Sequence, residues 1–148
     1  MLEENKERLS KTEYDKIGDM LLELLRDCPY IPKGAEVKYN YIGVGKCVAI
    51  IAVGDGTKKT DVTGGYSAKL TLRVWYQSSA STNGEMIDAQ AVVEKIVNWL
   101  DGIKKFPKLS NDWIITKITA GVGLPEIVDA KDKTVVYGSN VVMEYEVD

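Results

Sequence analysis

The segment Gly54-Asp55-Gly56-Thr57-Lys58-Lys59-Thr60 gathers the residue types of a phosphate-binding loop. Such a loop needs a glycine immediately before Lys-Ser/Thr and a helix immediately after, so that backbone N–H groups and the helix dipole meet the phosphate. Here the order is wrong, and Asp61-Val62-Thr63-Gly64-Gly65 leads instead into the strand-like run at Tyr66. The segment 54–65 therefore reads as a polar, glycine-rich contact loop between two strands. It supplies no core, and deleting Lys58–Thr63 is expected to leave the fold intact. Compact domains rarely carry a structureless connection of about 12 residues without a use for it.

A second set of candidates is the carboxylates Asp129, Asp132, Glu144 and Glu146. Glu144 and Glu146 alternate along a strand and share a face, but a solvated outer face, or a charged subunit seam, explains them without a metal. The chain has no histidine, which removes the commonest general base and the commonest metal ligand. Its two cysteines, Cys28 and Cys47, read as buried thiols. No nucleophile elbow, metalloprotease helix or calcium-loop spacing occurs. No catalytic, cofactor or metal site is expected. Trp75 and Trp99 are each open to two readings, as core residues or as aromatic anchors buried against a neighbouring subunit.

Composition agrees with a folded domain. The 148 residues are 45% hydrophobic and 28% charged, with a net charge of −3. One domain, 1–148, is expected. The only adjacent basic pairs that stand out are Lys58-Lys59 and Lys104-Lys105, far short of a duplex-binding stripe. Sequence-specific nucleic-acid binding is not expected. The charged N-terminus lacks an apolar signal segment, and no run approaches the ~18 residues of a membrane span. Folding in a cytoplasm, with no membrane partner, is the expectation.

The elements that must position these residues follow from periodicity. Tyr14, Ile17, Leu21, Leu24, Leu25 and Cys28 recur at helical spacing behind the capping-box pair Ser10 and Glu13. Pro29 and Pro32 end that helix. Val37–Tyr41 alternates, Gly43-Val-Gly45 reads as a turn, and Cys47–Val53 is an apolar run, which together predict a β-hairpin. Tyr66–Tyr76 is the clearest strand. A second helix runs from the Thr82/Glu85 capping pair to Gly102. Trp113–Thr119, Glu126–Ala130 and Thr134–Val147 are strands. Lys131-Asp132-Lys133 is read as a turn, and the last strand as interrupted at Gly138-Ser-Asn140. The fold class is α+β, a mainly antiparallel sheet with two helices packed on one face, in the order α-β-β-β-α-β-β-β.

In order and spacing, the helix Tyr14–Cys28, the strand Ala68–Ser78, the helix Glu85–Gly102 and the ending Pro125–Asp148 resemble the phage tail terminator (tail completion, minor capsid) proteins. The resemblance covers nearly the whole chain but rests on no short diagnostic motif. It implies a structural, non-enzymatic subunit of a phage, prophage or contractile phage-like particle. Such subunits form a homohexameric ring that caps the head-proximal end of the tail, ends tube polymerisation and joins the tail to the head or collar. The implied partners are other copies of the chain, the tail tube protein, the sheath protein in contractile particles and the head connector. The implied location is the bacterial host cytoplasm during assembly and then the particle. The family's inter-strand loop falls on Gly54–Gly65, which makes Asp55, Lys58, Lys59 and Asp61 contact candidates beside Trp75. Two other readings compete: a different head–tail connector or adaptor, and a small enzymatic or ligand-binding α+β domain.

Overall fold

The computed structural model describes residues 6–79, 82–107, 113–131 and 133–148. Among these, two helices and eight strands occur in the order β1 (Lys6–Arg8), α1 (Lys11–Leu25), β2 (Glu36–Tyr39), β3 (Cys47–Ala52), β4 (Thr57–Thr60), β5 (Tyr66–Ser79), α2 (Asn83–Gly102), β6 (Trp113–Ala120), β7 (Glu126–Lys131) and β8 (Thr134–Val147). The expected α-β-β-β-α-β-β-β order is there, with the short strands β1 and β4 added to it. Asp132, the middle of the expected turn before β8, lies outside the described residues.

The sheet is built on one long antiparallel ladder, β5 against β8, in unbroken register from Tyr66↔Val147 to Ser79↔Thr134. Each outer edge of this ladder is shared by two shorter strands. Beside β5 run β4, at Tyr66–Lys69, and β3, at Leu72–Gln77. Beside β8 run β6, at Val141–Val147, and β7, at Thr134–Gly138. β1 then extends β4, and β2 extends β3.

Alternation along β5 decides which face is the core. Ala68, Leu70, Leu72, Val74 and Tyr76 are buried, as are Val141, Met143 and Tyr145 of β8. Both helices cover this face. α1 contributes Ile17, Met20, Leu21, Leu24 and Leu25, and α2 contributes Ala89, Val93, Ile96, Val97 and Leu100, all within one apolar cluster. The α1 start is fixed as its spacing predicts: Ser10 Oγ accepts from the Glu13 N–H at 3.2 Å, and the Ser10 N–H donates to Glu13 Oε1 at 2.8 Å. Thr82 Oγ1 likewise accepts from the Glu85 N–H at 3.1 Å.

Two expectations are corrected. β2 and β3 do not form a hairpin; they are parallel, with Glu36 opposite Cys47 and Tyr39 opposite Ile50. Asn40 is the cause. It takes the left-handed conformation, φ 63°, which asparagine tolerates better than most residues. Its N–H donates to Ile50 O at 2.8 Å, and its Oδ1 accepts from the Ala52 N–H at 2.9 Å. The chain is thereby locked beside β3 and returns over the sheet through residues 40–46. Because β2 is only four residues long, a short return is enough, where parallel pairs usually need a dozen residues or more.

The second correction is that β8 is not interrupted. Gly138 sits in the ladder opposite Trp75. A Cβ there would come within 2.5 Å of Trp75 Cδ1 and 2.6 Å of Val128 Cγ2, so the glycine is a seat for two apolar side chains. Gly138→Val is expected to force Trp75 or Val128 out of place and to destabilise by about 1–3 kcal/mol. Chemical denaturation followed by tryptophan fluorescence would read both effects, and an unchanged midpoint would contradict the packing described.

Candidate assembly surfaces

The polar segment 54–65 is not a structureless loop. Its middle forms β4, held between β1 and β5. What the sequence conceals is the partner: β1 lies about 50 residues upstream, so no local pattern announces the pairing. Leu9 N–H donates to Gly56 O at 3.1 Å, and Gly56 N–H donates to Tyr14 Oη at 2.9 Å. Deleting Lys58–Thr63 would remove a strand from inside the sheet, so the expectation that the fold survives this deletion is withdrawn.

The four contact candidates in this segment divide by use. Asp55 is committed within the chain, its Oδ1 accepting from the Thr71 N–H at 2.9 Å and its Oδ2 from Thr71 Oγ1 at 2.7 Å. Asp61 organises the turn between β4 and β5. Lys58 reaches back to α1 and donates to Glu13 Oε2 at 2.9 Å, with both side chains largely buried. Its ammonium also lies 5.0 Å from the centre of the Tyr66 ring. Lys59 is exposed. Of the four, Lys59 and the turn at Asp61 face outward.

Sequence reasoning missed the node around Glu13. One carboxylate closes the capping box of α1 and anchors Lys58 of β4, so helix and hairpin are tied together. Burial alone would push Glu13 above its ordinary value of 4.5, but the hydrogen bonds from the Ser10 N–H and Lys58, with the Tyr66 hydroxyl nearby, outweigh it and hold the carboxyl below that value. A carboxyl lowered on folding stabilises above its unfolded pKa, and the contribution is lost as pH falls through the folded value. Glu13→Gln is therefore expected to cost about 2 kcal/mol near pH 7, from a weakened cap and a stranded lysine. The gap from wild type should narrow below about pH 4.5. Urea titrations at several pH values check this, and a gap that stayed constant into acid would contradict it.

Among the described residues the second sheet face carries no helix. Cross-strand register places Ile51, Arg73 and Asn140 in one row and Ala49, Trp75 and Gly138 in the next. Cys47, Ala49 and Val136 are buried although they lie outside the main cluster. The return segment 40–46 covers part of this face: Gln77 Nε2 donates to Gly43 O at 2.8 Å and to Gly45 O at 2.9 Å, and the Gly43 N–H lies 3.3 Å from Cys47 Sγ.

Beyond that cover lies a cleft of about 350 Å³, lined by Arg73, Trp75, Val122, Leu124, Glu126 and Val128 among others. Val122 is 108% exposed, Leu124 66%, and Ile127 and Val128 are exposed beside them. All six residues of β7 are exposed, and among the described residues β7 pairs only with β8. Trp75 is thus half-buried and lines a cleft of mixed chemistry beside exposed β7, and Trp99 packs partly buried against the main cluster. Soluble chains usually blunt such edges and avoid such patches.

The remaining candidates are quiet. Cys28 and Cys47 are free and buried, and burial pushes the Cys28 thiol up. Register sets Glu144 between Lys69 and Lys117, and Glu146 opposite Ser67 and Ile114. Asp129 lies 4.0 Å from Lys131 on exposed β7. Asp132 is outside the described residues. Among the described residues no group of three or more Cys, Asp or Glu side chains is placed to hold a metal ion, and no helix is long and apolar enough to cross a membrane. Compared with protein-family models and with curated proteins, the chain matches none.

Proposed function

We propose that the chain is a structural subunit of a phage or phage-like particle, in which copies join into a ring at the head-proximal end of the tail. The ring ends tube polymerisation and presents a surface to the head or collar. The observation that carries this reading is the cleft around Trp75, which mixes exposed apolar side chains with Arg73 and Glu126 and adjoins exposed β7, on the sheet face that neither α1 nor α2 covers. Exposed apolar surface of this kind marks a protein–protein interface. Trp75 and Arg73, which both line the cleft, are of the residue types enriched at interface hot spots. The resemblance of the sequence to tail terminators supports the same reading. A ring uses two different surfaces of each copy, and the β4–β5 hairpin and the Trp75 cleft supply two of different chemistry.

The test is addition of the purified protein to polymerising tail tubes. Tubes of limited length with the protein at one end support the proposal. A length distribution unchanged at saturating protein would sink it.

A further inference from the structure

The turn closing the β4–β5 hairpin is rigidly built. Asp61 Oδ1 accepts from the Thr63 N–H at 3.0 Å, from Thr63 Oγ1 at 2.6 Å and from the Gly65 N–H at 3.1 Å. The Asp61 N–H donates to Gly65 O at 2.8 Å, and the Gly64 N–H to Asp61 O at 3.3 Å. Gly64 supplies the left-handed step, φ 97°. These bonds, the Thr63 side chain first, hold the Asp61 carboxyl below its ordinary value, so the turn carries a negative charge. Inside this frame Val62 is 104% exposed. A valine held outward on a preorganised turn contributes nothing to its own chain's core. It is what a binding contact would use, because little entropy remains to be lost on docking.

The cleft around Trp75 has the matching chemistry. Val122, Leu124 and Val128 give it apolar side chains among polar ones, and its volume is about 350 Å³. Charges correspond as well. The turn presents Asp61 with Lys59 two residues before it, and the cleft presents Arg73 and Glu126. Among the described residues Arg73 makes no ion pair, so it is available to Asp61. The two surfaces cannot meet within one molecule. Tyr66, where the turn ends, and Trp75 are nine residues apart on one continuous strand, a distance of roughly 30 Å at ~3.3 Å per residue. The turn is too short to fold back that far.

We infer that the 61–65 turn of one copy, led by Val62, seats in the Trp75 cleft of a second copy, with Asp61 toward Arg73 and Lys59 toward Glu126. Each copy offers a turn and a cleft, so the contact can repeat around a closed ring. That closure rests on the ring reading above, whereas the contact itself needs only two copies.

Two variants that each add one cysteine, Val62→Cys and Leu124→Cys, would be mixed and treated with a short bis-maleimide; the native Cys28 and Cys47 are buried. The expected result is a covalent pair from the mixture, absent when either variant is treated alone or when Val44→Cys, exposed on another loop, replaces Val62→Cys. Independently, Val62→Lys is expected to raise the concentration for half-assembly at least about tenfold, the scale of one lost buried valine contact, without changing circular dichroism. Rings from the wild type that persist in Val62→Lys and give no cross-link would overturn the docking and leave the ring reading standing. A cross-link within particles of only two copies would support the docking and overturn the ring. A wild type monomeric at every concentration, with no cross-link, would overturn both.

Discussion

Tyr145→Ala is expected to lower the unfolding free energy by about 3–5 kcal/mol. Tyr145 is fully buried on β8, between β5 and β6. Its ring stacks on Trp113 with centres 4.9 Å apart and planes 9° from parallel, and Tyr66 meets both rings edge-on at 6.3 Å. Removing it opens a large cavity among three strands that cannot close, because the rigid β5–β8 ladder holds the walls apart. The hydroxyl behaves differently. Among the described residues Tyr145 Oη is buried with no hydrogen-bond partner. Tyr66 is near enough to act on it electrostatically but not placed for a proper hydrogen bond. Burial first, then the Tyr66 neighbour, push its pKa far up, so the phenol stays neutral. Tyr145→Phe removes an unsatisfied polar atom and keeps the stack, so it is expected to match wild type or exceed it by about 1 kcal/mol. Urea denaturation of both variants tests the pair. A Phe variant as damaged as the Ala variant would show that the hydroxyl, not the ring, carries the stability.

Trp75→Ala is expected to leave the chain folded and to weaken association of copies by about 100-fold, the scale of a lost tryptophan hot spot. The indole lies on the second face, outside the main cluster, over Gly138 and opposite Ala49. Its loss leaves both helices and the core ladder in place. Sedimentation, with circular dichroism as the control for folding, separates the two effects. Association equal to that of wild type would remove Trp75 from the interface. Global unfolding would make it a core residue, the other of the two readings the sequence leaves open.

Most of the architecture is legible in the sequence because it is local. The helices show in the three-and-four spacing of Ile17, Leu21 and Leu24, and in the Ser10/Glu13 and Thr82/Glu85 pairs. β5 shows in the alternation from Tyr66 to Tyr76. What is not legible depends on distant partners. Gly54–Gly65 looks like an unpaired loop because the strand that receives β4 on its outer side is β1. The Cys47–Ala52 run looks like half of a hairpin because nothing in its composition reveals that Asn40 adopts a left-handed turn. Gly138 looks like a break because its reason, the Trp75 ring, lies on another strand.

The candidate site divides the same way. Trp75 is identifiable from its place among Lys69, Thr71 and Arg73. Asp55 and Lys58 look like free polar contacts but are bonded within the chain, to Thr71 and Glu13. Val62, fully exposed on the hairpin turn, is hidden in the sequence because a lone apolar residue in a polar stretch carries no periodicity. Only the bonds around Asp61 show that it is held outward.

The central claim, that this chain is a ring-forming subunit, is tested most directly by electron microscopy of the purified protein, alone and with tail tubes. Closed six-fold rings of uniform size are expected, with the same rings at one end of each tube. Single particles the size of one chain at high concentration, with bare tube ends, would contradict it.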